Sequence, residues 1–212
     1  MSMAIPFTLR LERLDAVADT KSLADLRGAD DRVLAQYAAT GDYPAFEELV
    51  RRYRNDVYGL AVRYVRNREE AWDIAQEAFI KAHRGMRRFR GDSSFKTWML
   101  RITANQCKDY LKKRRLPTVA MEDLGGAEHA AGRGVQPDEA MGASELGASI
   151  QSALDQLSHK HKTAFILREF EGLSYEEMAQ AMNCSMGTVM SRLHHARKKL
   201  QNLLIQMGVV EN

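Results

Sequence analysis

The side chains best equipped for chemistry gather in one stretch, Gly172–Gln201, which reads GLSYEEMAQAMNCSMGTVMSRLHHARKKLQ. Its second half carries Ser191, Arg192, His194, His195, Arg197, Lys198 and Lys199. Such a set donates hydrogen bonds and attracts anions, which suits base edges and phosphates rather than bond breaking. Two more basic clusters, Arg84–Arg90 and Lys108–Arg115, extend the footprint, although the net charge is only +3. Nothing arranges serine, histidine and aspartate as a nucleophile system, and no glycine loop is set to cradle a phosphate. Cys107 and Cys184 stand far apart, outside any metal-ligand spacing with the six histidines. His159, His161, His194 and His195 lie among basic helical residues and read as surface groups. A non-catalytic binding protein with no metal and no cofactor is the expectation, and a reducing cytoplasm suits its thiols.

Two helices and a turn must position that set. Ser174 can cap a helix, with Glu177 completing a capping box, and Met178, Ala179 and Met182 follow at helical spacing. Asn183-Cys184-Ser185 supplies the turn. Ser185 then caps a second helix, with Val189, Leu193, Ala196 and Leu200 on one side and the basic set on the other. This reads as a helix-turn-helix whose second helix enters the DNA major groove. The plainer alternative is a helical hairpin with a solvated basic face. Cap, turn and one-sided charge together favour DNA.

The rest of the chain also repeats at helical spacing, so the fold class is all-α. Residues 1–29 hold an amphipathic hint in Phe7, Leu9, Leu11, Leu14 and Val17, and are read as an N-terminal extension. Val33, Leu34 and Tyr37 make one short helix. After Thr40-Gly41-Asp42, Asp42 caps a long one that ends near Arg66-Asn67. A helix over Arg68–Met86 has Trp72, Ala75, Phe79 and Ala82 as its expected buried stripe; Asp73, Gln76, Glu77, Lys81 and Arg84 lie opposite. Phe89–Phe95 is a loop, and a basic-ended helix runs from Phe95 to about Arg115. Residues 116–148 are rich in glycine and poor in large apolar side chains, the mark of a flexible linker. The organisation expected is 1–29 extension, 30–115 first helical domain, 116–148 linker and 149–212 second helical domain. No run approaches a membrane span and no apolar signal core opens the chain.

Two blocks carry a family likeness: DIAQEAFIKAHRGMRRFRGDSSFKTWMLRITANQCKDYLKKRR at Asp73–Arg115 and LREFEGLSYEEMAQAMNCSMGTVMSRLHHARKKL at Leu167–Leu200. In this order, across a glycine-rich linker, the chain resembles a bacterial RNA polymerase sigma factor of the extracytoplasmic-function type. The resemblance implies a non-catalytic subunit that binds core polymerase, directs promoter-specific initiation in a stress or envelope response, and is held by an anti-sigma factor without inserting into a membrane itself. It assigns Asp73, Gln76, Glu77, Phe79 and Lys81 to the polymerase beta-prime clamp helices, and the second domain to the beta flap. Arg90, Asp92, Ser94 and Phe95 become candidates for the minus-ten base pocket, with Lys96, Lys108 and Lys112 on phosphates. Ser185, Thr188, Ser191, Arg192, His195, Arg197 and Lys198 would face the minus-thirty-five element. Many family members have a basic residue where this chain has Met190, and arginine where it has His195. More of the contact is therefore expected from Arg192 and Arg197.

Overall fold

The computed structural model describes residues 23–115 and 141–210. A short helix, α1 (Leu23–Gly28), leads to α2 (Asp31–Thr40), whose cap Asp30 accepts from the Arg32 amide at 2.8 Å. Gly41 stops α2 at φ 104°, a left-handed conformation that glycine adopts without a Cβ clash. Asp42 caps α3 (Tyr43–Val65), with Pro44 in its first turn. Asn67 caps α4 (Arg68–Gly85), and a single 3₁₀ turn, Met86–Arg88, precedes the loop to α5 (Phe95–Arg115). The second group is α6 (Met141–Asp155), α7 (His159–Glu169), α8 (Tyr175–Met182) and α9 (Met186–Gln206). Every regular element among the described residues is a helix.

Some expectations meet a different outcome. The Phe7–Val17 pattern and residues 116–140 lie outside the described residues. α6 begins at Met141, inside the stretch read as linker, because alanine, glutamate and leucine outweigh Gly142 and Gly147 there. Part of the N-terminal extension is docked: Leu26 is buried, and Arg52 donates to the Leu26 and Arg27 carbonyls. The same Arg52 helps hold the buried Glu48 carboxylate, which a hydrogen bond from Arg51 lowers first, to about 2. Trp72, expected in the buried stripe of α4, is 50% exposed and touches Tyr58 edge-on at 6.0 Å between centroids. It sits at the margin of the stripe formed by Ala71, Ile74, Ala75 and Ala78, where Tyr58 of α3 meets only one side of its ring and leaves half of the residue exposed.

The two domains are not merely tethered. One apolar cluster joins Leu60, Tyr64 and Val65 of α3 and Leu100 of α5 to Ile166, Leu167 and Met178 of α7 and α8. Beside it lies a polar seam. Lys162, 4% exposed, donates to Asp155 Oδ1 at 2.7 Å and to the Tyr64 carbonyl at 3.3 Å. Burial pulls the Lys162 ammonium down from its ordinary range, and Asp155 pushes it back up. Asp155 also pairs with Arg66, the Tyr64 hydroxyl bonds Thr163, and Gln151 donates to the Arg63 carbonyl at 2.8 Å. The Arg63 guanidinium lies over the Phe170 ring, 4.2 Å from its centroid. Removing one partner strands a buried charge, whereas an apolar replacement of the charge itself does not. Asp155→Ala should therefore cost about 1–3 kcal/mol in urea denaturation, and Lys162→Met no more than about 1 kcal/mol. The reverse order would contradict a buried, Asp155-dependent ammonium.

Candidate nucleic-acid interface

The helix-turn-helix is built as its caps dictate. Ser174 Oγ accepts from the Glu177 amide at 3.2 Å, and the Glu177 carboxylate takes the Ser174 amide at 2.8 Å. Asn183 makes the turn at φ 49°, a left-handed position that asparagine tolerates. Ser185 caps α9, accepting from the Thr188 amide at 3.2 Å and pairing with the Thr188 hydroxyl at 2.9 Å. Those two hydroxyls are thus occupied in starting the helix. With Val189, Leu193, Ala196 and Leu200 buried, the outward side presents Met190, Ser191, His194, His195 and Lys198. Two of the expected contact arginines are engaged within the chain. Arg192, half-buried, points Nη1 at Cys184 Sγ, 3.4 Å away, and Arg197 holds Glu169 at 2.6 Å. His195 stacks near His194 and His161, and burial together with the neighbouring His195, Lys199 and Arg192 moves His161 below its ordinary value.

The loop before α5 is braced from beneath. Phe95 is buried and packs with Phe89 and Trp98, and Trp98 leans on Gly85, where a side chain would meet its ring at 3.4 Å. Phe95 therefore supports the loop and is not free to stack on a base. Ser94 caps α5, its Oγ accepting from the Thr97 amide at 3.0 Å. Gly91 turns the chain at φ 74°, and Arg90 and Asp92 are exposed. A cavity of about 220 Å³ opens between this loop and the helix-turn-helix, lined by Asp92, Ser93, Thr97, Trp98, Arg101, Gln180 and Asn183. Gln180 donates to the Asp92 carbonyl at 3.4 Å. Thr97 and Arg101 were not singled out in the sequence, though they follow the loop at helical spacing on the side of Ser94. Lys96 pairs with Asp56 at 2.8 Å, while Lys108 and Lys112 are exposed about 18 Å or more further along α5. The three lysines do not form one patch.

On α4, Asp73, Gln76 and Glu77 share an outward face, with exposed Trp72 and Ile80 set among them. Phe79 points the other way and is 6% exposed, so it holds the helix down and offers no contact surface. Lys81 reaches Gln106 of α5. The apolar members of this face are not legible in the sequence pattern, because Trp72 fits the period of the core and Ile80 directly follows the buried Ala78 and Phe79.

A helix-turn-helix with an open polar helix, docked on a helical domain with a loop-and-helix cleft, defines a DNA-binding protein. The family model described as Sigma-70 region 2 matches residues 49–116, and that of Sigma-70, region 4 matches residues 147–200. The RNA polymerase sigma-H factor of Pseudomonas aeruginosa is 43% identical over 180 residues, 82% of this chain and 93% of that protein. The ECF RNA polymerase sigma-E factor of Escherichia coli K12 is 39% identical over 178 residues, 81% of this chain and 93% of that one. The solved structure of CnrH in complex with the cytosolic domain of CnrY superposes with a TM-score of 0.64 at 26% identity, covering 83% of this chain and 97% of CnrH. That of the Bartonella quintana sigma factor RpoE with the anti-sigma factor NepR gives 0.56 at 25% identity, covering 75% and 96%. The chain belongs to the extracytoplasmic-function sigma factors of the sigma-70 family. It is a non-catalytic specificity subunit that binds core RNA polymerase and directs promoter-specific transcription initiation.

A further titratable group, His159, lies at the seam between the two domains. His159 sits 5.4 Å from the Tyr64 ring between centroids, with Nδ1 buried and unpartnered. Burial, then Lys108 and Lys162, push it down to about 4, against a smaller opposing pull from Asp109. The folded chain keeps this ring neutral while the unfolded chain protonates near 6.5, so the stabilisation is complete above 6.5 and is lost as pH falls from there toward 4. Melting temperature should therefore drop between pH 7 and pH 5, and drop less in His159→Gln. Identical pH slopes in the two proteins would contradict this.

Proposed function

We propose that Asp73, Gln76 and Glu77, with Trp72 and Ile80 as apolar anchors, dock α4 on the clamp helices of the polymerase beta-prime subunit. Lys81 lies at the edge of that contact, and Phe79 braces it from within. The first domain, residues 30–115, also takes the minus-ten element: Arg90, Asp92 and Ser94 receive an unstacked base over the Phe95 support, and Lys108 and Lys112 meet backbone phosphates. Lys96 joins them by releasing Asp56. The second domain, residues 149–212, lays α9 in the major groove of the minus-thirty-five element and meets the beta flap. Ser185, Thr188, Ser191, Arg192, His195, Arg197 and Lys198 are its DNA-facing residues, of which Arg192 must first leave Cys184 and Arg197 must first leave Glu169. The segment between α5 and α6 connects the two domains, and the residues ahead of α1 form the extension.

The observation that carries this reading is a polar face with exposed apolar centres on α4, on the same rigid bundle as the braced loop before α5. Apolar anchors ringed by polar groups are the usual core of a binding surface. CnrH and RpoE were each solved with a partner protein, CnrY and the anti-sigma factor NepR. An inhibitor of that kind covers the polymerase-binding surfaces here and releases them in a stress response in the cytoplasm; among the described residues no helix is long and apolar enough to cross a membrane.

The combined Asp73→Ala, Gln76→Ala, Glu77→Ala protein tests the docking face. Its melting temperature should stay within a few degrees of wild type, while its affinity for core polymerase falls about tenfold or more. Equal affinity for core polymerase would remove α4 as the docking element.

A further inference from the structure

The outward side of α9 holds two side chains that neither phosphate contact nor base hydrogen bonding explains. Met186 and Met190, one turn apart, are 42% and 48% exposed, and neither packs in the apolar cluster that buries Val189 beside them. Ser191, His194, His195 and Lys198, all exposed, complete that part of the helix. A thioether donates no hydrogen bond and attracts no anion. On a surface that otherwise presents donors and cations, it serves whatever apolar group the ligand brings. In the major groove of unmodified DNA that group is the C5 methyl of thymine. Methionine, long and unbranched, can reach a base edge from a position at the rim of the helix face.

We propose that Met190 is a specificity residue that reads a thymine methyl in the upstream promoter element, with Met186 closing over the same side. This rests on the reading of α9 as a major-groove helix. It also explains how the helix can read sequence while Arg192 faces Cys184 and Arg197 holds Glu169. Arginine at position 190 would offer a bidentate fork to guanine instead, so the residue sets which base the position prefers.

The test uses core RNA polymerase carrying the full chain. A preferred upstream sequence is first selected from promoter duplexes randomised in that element. Each thymine is then replaced singly by deoxyuridine, which removes the methyl and leaves every hydrogen-bonding group in place. At one position, deoxyuridine should weaken binding by wild type about fourfold, the ratio for ~0.8 kcal/mol of one buried methyl. Met190→Ala should bind the thymine and deoxyuridine duplexes equally there, and Met190→Arg should select guanine at or beside it. Indifference of wild type to deoxyuridine at every position would overturn the proposal, as would a penalty that persists in Met190→Ala. A control separates this from failure of the groove reading itself: Ser191→Ala with Lys198→Ala should lower upstream-element binding whatever the thymine content. If that double variant binds as wild type does, α9 is not in the groove and the Met190 proposal falls with it.

Discussion

Lys162 must lose its water for the two domains to meet, and the seam is arranged around answering that loss. A buried ammonium is tolerable only with a carboxylate and a carbonyl in reach, and Asp155 and the Tyr64 carbonyl supply them from α6 and α3. Because Tyr64 is nearly a hundred positions away in sequence, the interaction exists only when the second domain lies on the end of the first. Thr163, next along α7, then meets the Tyr64 hydroxyl, and the apolar cluster from Leu60 to Met178 closes beneath. Buried ion pairs give geometry more reliably than they give net stability. Lys162 and Asp155 regain water if the seam opens, so the docked arrangement is specific in register and modest in cost to separate. A partner can shift it only through a difference in its affinity for the docked and separated forms.

The same logic governs the surfaces proposed to face DNA. Counting basic residues along α9 overstates what is free, because Arg197 and Arg192 have partners inside the chain. Exposed pairs such as Arg197 with Glu169 are worth about 0–1 kcal/mol and exchange readily for a phosphate. On the proposed reading of α9, backbone contact is available at small cost, while base choice falls to the few residues already pointing outward. The loop before α5 works the other way. Phe95, Trp98 and Gly85 fix its underside, so Arg90 and Asp92 are carried on a rigid support, and the cavity beside them has polar walls from both domains.

Much of this was legible in the chain because it is written in local chemistry. Ser174 with Glu177, Asn183, Ser185, Asp42 with Pro44, and Gly41 each act within one turn of themselves, and each stands where its residue type requires. Other features depend on residues far away. Lys162, at the end of the polar run Ser158–Lys162, looks solvated until α3 lies over it. Trp72 matched the helical period of the α4 core, yet a match in period does not supply a covering neighbour at the end of a helix. Phe79 and Phe95 belong to the family motif yet support their surfaces from below, since a motif records that a position matters without recording which way it faces. The shared core of the two domains was not legible either: the glycine-rich connector speaks only for itself.

The promoter-specificity role is tested most directly by mapping transcript 5′ ends made by core polymerase with and without this chain on a fragmented bacterial genome. Initiation sites should appear that require the chain, each preceded by the same two sequence blocks at a constant separation, one for α9 and one for the loop before α5. Identical start sites with and without the chain, or chain-dependent sites sharing no upstream block, would contradict it.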